Sequence, residues 1–135
     1  MKYDIAELIS TMLKDAGMSE FLSDDLTNHS TISLNMKDDI PAIHIKSVGD
    51  DVWLWANLCE YNINSLAYCS INLLPVMLDY NEEVFYLGQP CLYPVDGQLE
   101  LRAKVMEKYL GSADDFLSVL DHYLTIMLNY RDVLA

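Results

Sequence analysis

Residues 41–57 read PAIHIKSVGDDVWLWAN, and this stretch carries the pattern from which the rest of the chain can be placed. Ile43 and Ile45 alternate with His44 and Lys46, the period-two pattern of a strand with one buried face. Gly49-Asp50 then breaks the pattern with a residue that reaches φ > 0 at no steric cost, as the first position of a two-residue hairpin turn requires. The spacing predicts strands over 41–48 and 52–57. With a two-residue turn, Ile45 stands opposite Leu54, Lys46 opposite Trp53 and His44 opposite Trp55. Both tryptophans then lie on the outer face, so the second strand is apolar on both sides. Two readings follow. Either the protein or a second subunit covers the tryptophans, because large aromatics are mostly buried, or they form a docking patch, because exposed aromatic surface marks interaction sites.

Upstream, residues 29–36 alternate with Ile32, Leu34 and Met36 on one face, which adds a third strand to an antiparallel meander. Before it, Ile5, Leu8, Ile9, Met12 and Ala16 recur at helical spacing, so a helix is predicted over 3–16 with Gly17 at its C-terminal cap. Downstream, residues 61–78 contain no charged side chain and predict a second helix, which Pro75 should kink or end near Leu74. Its Asn62, Asn64, Ser65, Ser70 and Asn72 make it too polar to cross a bilayer. A second hairpin is expected from strands over 84–87 and 98–106, joined through Pro94-Val95-Asp96-Gly97, with Asp96-Gly97 as the turn signal. Ser112 and Asp115 then open a last helix, whose core stripe is Phe116, Leu120, Tyr123, Leu124, Met127 and Leu128. The order α-βββ-α-ββ-α predicts an α+β fold in one domain spanning residues 1–135, with helices packed on antiparallel sheet.

Composition sets limits on function. The chain has 135 residues, of which 52% are hydrophobic, enough to build a core. Its 21 acidic and eight basic side chains give a formal charge of −13, which disfavours nucleic acid and anionic membrane as partners. The charge serves solubility or steers a basic partner. The charged amphipathic opening has no apolar leader pattern, and Cys59, Cys69 and Cys91 form an odd set without metal-type spacing; the expectation is a reduced, cytoplasmic setting.

A catalytic or metal-binding constellation does not emerge. No cysteine has an activating neighbour at local spacing, and Cys69 reads as an apolar filler within an uncharged helix. His29, His44 and His122 are scattered, without zinc-ligand spacing. The acidic pairs at 24–25, 38–39, 50–51, 82–83 and 114–115 mostly mark turns and helix starts, with no calcium-loop pattern. Glycines are dispersed, so a phosphate loop is absent. No enzyme, metal or cofactor is expected.

What the pattern does predict is surplus apolar surface. A helix hydrophobic all round must bury more than one face, so the second helix is expected to pair two subunits through Leu66, Ser70, Leu73, Leu74 and Met77.

Taken in order, Asp4-Ile5-Ala6-Glu7-Leu8, His29-Ser30-Thr31-Ile32, Pro41-Ala42-Ile43 and Asp50-Asp51-Val52-Trp53-Leu54-Trp55-Ala56 resemble the SpaK/InvB branch of the type III secretion chaperones, class IB. The similarity runs over nearly the whole chain. It implies a cytoplasmic homodimer without catalytic activity, which binds extended N-terminal segments of several secreted effectors, keeps them non-globular and presents them to the secretion apparatus. An extended client can add a strand to a sheet edge and place alternate side chains in pockets. The expected client-binding residues are Trp53, Trp55, His44 and Lys46, with Tyr3 and Leu13 from exposed positions of the first helix nearby. A different acidic module, an adaptor or inhibitor that covers a folded partner, is the competing expectation.

Overall fold

Alternation and turn chemistry build one antiparallel sheet in the computed structural model, which describes residues 5–15, 17, 31–36, 39–79, 84–85 and 90–134. The elements are α1 (Ile5–Asp15), β1 (Ile32–Leu34), β2 (Ile43–Val48), β3 (Asp51–Glu60), α2 (Ile63–Met77), β4 (Cys91–Val95), β5 (Gln98–Lys104), a 3-10 turn (Glu107–Tyr109) and α3 (Ala113–Leu134). The sheet order is β1-β2-β3-β5-β4. The fold is α+β, in the predicted order.

The β2–β3 hairpin has the expected register, with His44 opposite Trp55, Ile45 opposite Leu54 and Lys46 opposite Trp53. Gly49 sits at φ 62°, which a side chain would strain. Ile45, Leu54 and Ala56 are fully excluded from solvent on the inner face, against α1 and α3. Each large apolar side chain so buried contributes roughly 1.5–3 kcal/mol. Tyr123 of α3 reaches into the same layer, and its hydroxyl donates to the Leu101 carbonyl at 2.6 Å. Burial drives its phenol far above the ordinary range, with the Glu100 charge adding to the effect.

Local signals account for the helix ends. The N–H of Gly17, at φ 69°, donates to the Lys14 carbonyl at 3.2 Å. The Asn62 carboxamide oxygen accepts from the N–H groups of Asn64 and Ser65 at 3.0 and 3.2 Å and so starts α2. Ser112 Oγ accepts from the Asp115 N–H at 3.1 Å.

Two expectations are corrected. Strand β5 forms its hairpin with Cys91–Val95 and not with 84–87. Asp96 and Gly97 both have positive φ, 51° and 78°, the signature of a type I′ turn, so the partner strand must end at Val95. Of 84–87, Phe85 makes an isolated bridge to Val105, and residues 86–87 lie outside the described set. Pro94 is tolerated because β4 is an edge strand. Of the two outcomes expected at Pro75, a kink or an end near Leu74, the end is ruled out, since α2 continues to Met77 with Pro75 inside it. The proline removes the N–H that would meet the Ile71 carbonyl, and Ile71 is exposed, so water can meet that acceptor.

Candidate functional site: an aromatic and cationic sheet face

The face of the sheet turned away from α1 and α3 carries the outward residues of four neighbouring strands. Strand pairing stacks them in rungs. One rung runs His44–Trp55–Arg102–Cys91, the next Lys46–Trp53–Lys104, and a third joins Asn57, Glu100 and Tyr93. Of these, Lys46, Trp53, Trp55, Cys91, Tyr93, Arg102 and Lys104 line a groove of about 620 Å³, with Trp53, Trp55 and Tyr93 as its aromatic walls. Trp53 is 36% and Tyr93 51% exposed, while Trp55 is half-buried.

Contacts within the groove hold its walls in place. The Arg102 guanidinium lies 6.0 Å from the Trp55 ring centre and 5.6 Å from that of Tyr93, within cation–π range. Its Nε donates to Glu100 Oε1 at 3.0 Å. Lys104 Nζ meets Asp51 Oδ1 at 3.2 Å. The His44 and Trp55 rings are 5.5 Å apart, and His44 Nδ1 shares a 2.7 Å hydrogen bond with Ser33 Oγ. Burial lowers the His44 pKa, opposed by the Glu100 charge, so the imidazole is neutral near pH 7.

Four of the expected client-binding residues, His44, Lys46, Trp53 and Trp55, thus share one face. Tyr3 lies outside the described residues. The expectation of an exposed Leu13 is corrected, because it is only 2% exposed and sits on the helix-covered side of the sheet. Leu13 follows Ile9 by one helical turn and joins the same buried stripe. There it lines a separate apolar cavity of about 230 Å³ with Met12, Leu34, Met36, Leu117 and Leu124. Arg102, Lys104 and Tyr93 were not anticipated at the groove. Their own alternation was readable, but which strand lies beside β3 is decided by a long-range pairing.

Helix α2 has two unlike sides. Leu73 is buried, and Leu66, Val76 and Met77 pack against the core. On the other side Ile63, Ile71, Leu74 and Leu78 are 70%, 79%, 54% and 61% exposed, and Tyr68 beside them is 91% exposed. Residues 63, 67, 71, 74 and 78 fall on one stripe at helical spacing. The anticipated pairing set therefore divides. Ser70 and Leu74 face outward, whereas Leu66, Leu73 and Met77 serve the chain's own core. Of the five, Leu73 is buried within the chain itself, while Leu66 and Met77 pack on the core and keep part of their surface exposed; a uniformly apolar helix gives no phase from sequence.

Burial raises the Cys59 thiol pKa, with Cys69 as a second cause, the reverse of what an activated nucleophile needs. Among the described residues no group of three or more His, Cys, Asp or Glu gathers as a metal site, and no helix is long and apolar enough to cross a membrane.

Comparison with known proteins adds to this geometry. The model of the Invasion protein B family matches residues 17–96. The Salmonella typhimurium surface presentation of antigens protein SpaK is 29% identical over 134 residues, spanning 98% of this chain and 93% of its own, and the Salmonella typhi protein of that name matches equally. Among solved structures, a chain of the heterodimeric ExoU–SpcU complex from the Pseudomonas aeruginosa type III secretion system aligns with a TM-score of 0.61 at 18% identity, covering 93% of this chain and 96% of its own. The Yersinia pestis type III secretion chaperone SycH, solved with a stable fragment of YscM2, aligns with a TM-score of 0.59 at 14% identity, covering 93% and 98%.

Proposed function

Because the chain belongs to the Invasion protein B family of type III secretion chaperones, we propose that it acts as a homodimer that binds extended N-terminal segments of several secreted effectors, holds them non-globular and presents them to the export apparatus. It does this in the cytoplasm and without catalysis. The observation that carries the reading is the aromatic groove of Trp53, Trp55 and Tyr93. The opposite sheet face already has its helical cover, so this one is left to receive a partner. Its aromatic walls suit apolar side chains of varied shape, which fits a binder of several clients. The two structural relatives point the same way, since one was solved in an ExoU–SpcU complex and the other with a YscM2 fragment.

The exposed stripe of α2 supplies the homodimer. Ile63, Ile71, Leu74 and Leu78 offer a continuous apolar surface that a two-fold axis can pair with itself. Co-expression with the N-terminal segments of candidate secreted proteins tests the reading. A chaperone co-purifies with an isolated segment, whereas an adaptor of a folded partner requires the partner's complete domain.

A further inference from the structure

We infer that the groove selects an extended client segment carrying a carboxylate, seated over Trp53 between Lys46 and Lys104, followed two residues later by an apolar side chain against Trp55 and Tyr93. This rests on the reading of that face as the client site and adds the chemistry it recognises. Acidic side chains outnumber basic ones 21 to eight in this protein, yet Lys46, Arg102 and Lys104 line this one groove. Lys46 and Lys104 are the direct strand partners of Trp53 on either side, so they bracket its ring across roughly 10 Å, two inter-strand spacings.

The lysines differ in what holds them. Lys46 is exposed and, among the described residues, makes no ion pair. Lys104, its side chain 28% exposed, meets Asp51, whose side chain is 49% exposed, and a pair open to water on its acidic side is weak enough for an incoming carboxylate to share or replace. Arg102 is already engaged with Glu100 and stacked between two aromatic rings, so it forms a wall and leaves the second position apolar. Side chains on one face of an extended chain recur every two residues, about 7 Å, matching the distance from the Trp53 rung to the Trp55 rung. The net charge of −13 does not forbid an acidic client, because charges beyond about 8 Å are screened at physiological salt while the two lysines act at contact.

Three fluorescein-labelled twelve-residue peptides test this, identical except for Asp, Asn or Lys at the first position of a charged-x-Leu pattern. Fluorescence anisotropy with the full chain should give about tenfold tighter binding for Asp than for Asn, the size of one charge-assisted contact, with Lys weakest. Lys46→Gln, which breaks no ion pair, should remove most of the difference, and Lys46→Glu with Lys104→Glu should reverse it in favour of the Lys peptide, with circular dichroism confirming the fold. Equal binding of the three peptides, or a preference for Asp that survives both variants, overturns the proposed selectivity and leaves the groove as a client site. Binding of none of them overturns both.

Discussion

Trp55 stands directly across the β2–β3 ladder from His44, their ring centres 5.5 Å apart, and burial at this position, opposed by the Glu100 charge, sets the state of the imidazole. The folded pKa of His44 lies below its ordinary value of 6.5. In a window below pH 6.5 the unfolded chain therefore binds a proton that the folded chain refuses, and stability falls as pH falls through it. His44→Asn should flatten this part of the profile. Urea midpoints at pH 7.5 and 5.5 check it, since carboxylate titration is common to both proteins and cancels in the difference. An unchanged slope contradicts the assignment.

Replacing Trp53 or Trp55 by Ala should weaken a bound effector segment by roughly thirtyfold or more, because an aromatic anchor contributes about 2 kcal/mol or more at an interface. The dimer should survive both changes, since the groove and α2 are separate surfaces. Calorimetric titration gives the affinity and sedimentation the subunit state.

The two sides of α2 predict opposite failures. Ile71→Asp, on the exposed stripe, should release folded monomers. Leu73→Asp, at a position buried in the chain's own core, should instead cost several kcal/mol of monomer stability, because the buried charge has no partner. Sedimentation and thermal melting together separate these outcomes, and a monomeric parent protein at high concentration would sink the dimer.

No thiol chemistry is expected. Replacing Cys59, Cys69 and Cys91 with Ala should leave client binding intact, with a modest loss of stability from buried Cys69. A bulky maleimide on Cys91, which is exposed and lines the groove, should block binding sterically. Loss of binding in a folded alanine variant contradicts this account.

Particular residues explain what could be read in advance. The register of His44 and Lys46 against the tryptophans was legible because a two-residue turn at Gly49-Asp50 leaves one pairing that keeps Ile45 and Leu54 inside. The second hairpin was half legible. Asp96-Gly97 marked the turn, but Pro90 and Pro94 hid the strand that must precede it. Leu13, one turn beyond Ile9, belongs by spacing to the buried stripe and not to an exposed position. The phase of α2 was not legible, since apolar residues surround it and only its packing distinguishes Leu73 from Leu74. Nor was the cationic half of the groove, because Arg102 and Lys104 reach the tryptophans through a β3–β5 pairing with α2 and β4 between them in sequence.

On the function proposed above, this protein holds an unfolded segment of another protein on its outer sheet face. Acrylamide quenching of Trp53 and Trp55, the protein's two tryptophans, titrated with an isolated tryptophan-free N-terminal effector segment, tests it most directly. Saturable binding is expected, with both rings becoming less accessible, while the same titration of Trp53→Phe and Trp55→Phe reports each ring alone. Binding only by a complete folded partner, or segment binding that leaves both rings as accessible as before, contradicts it.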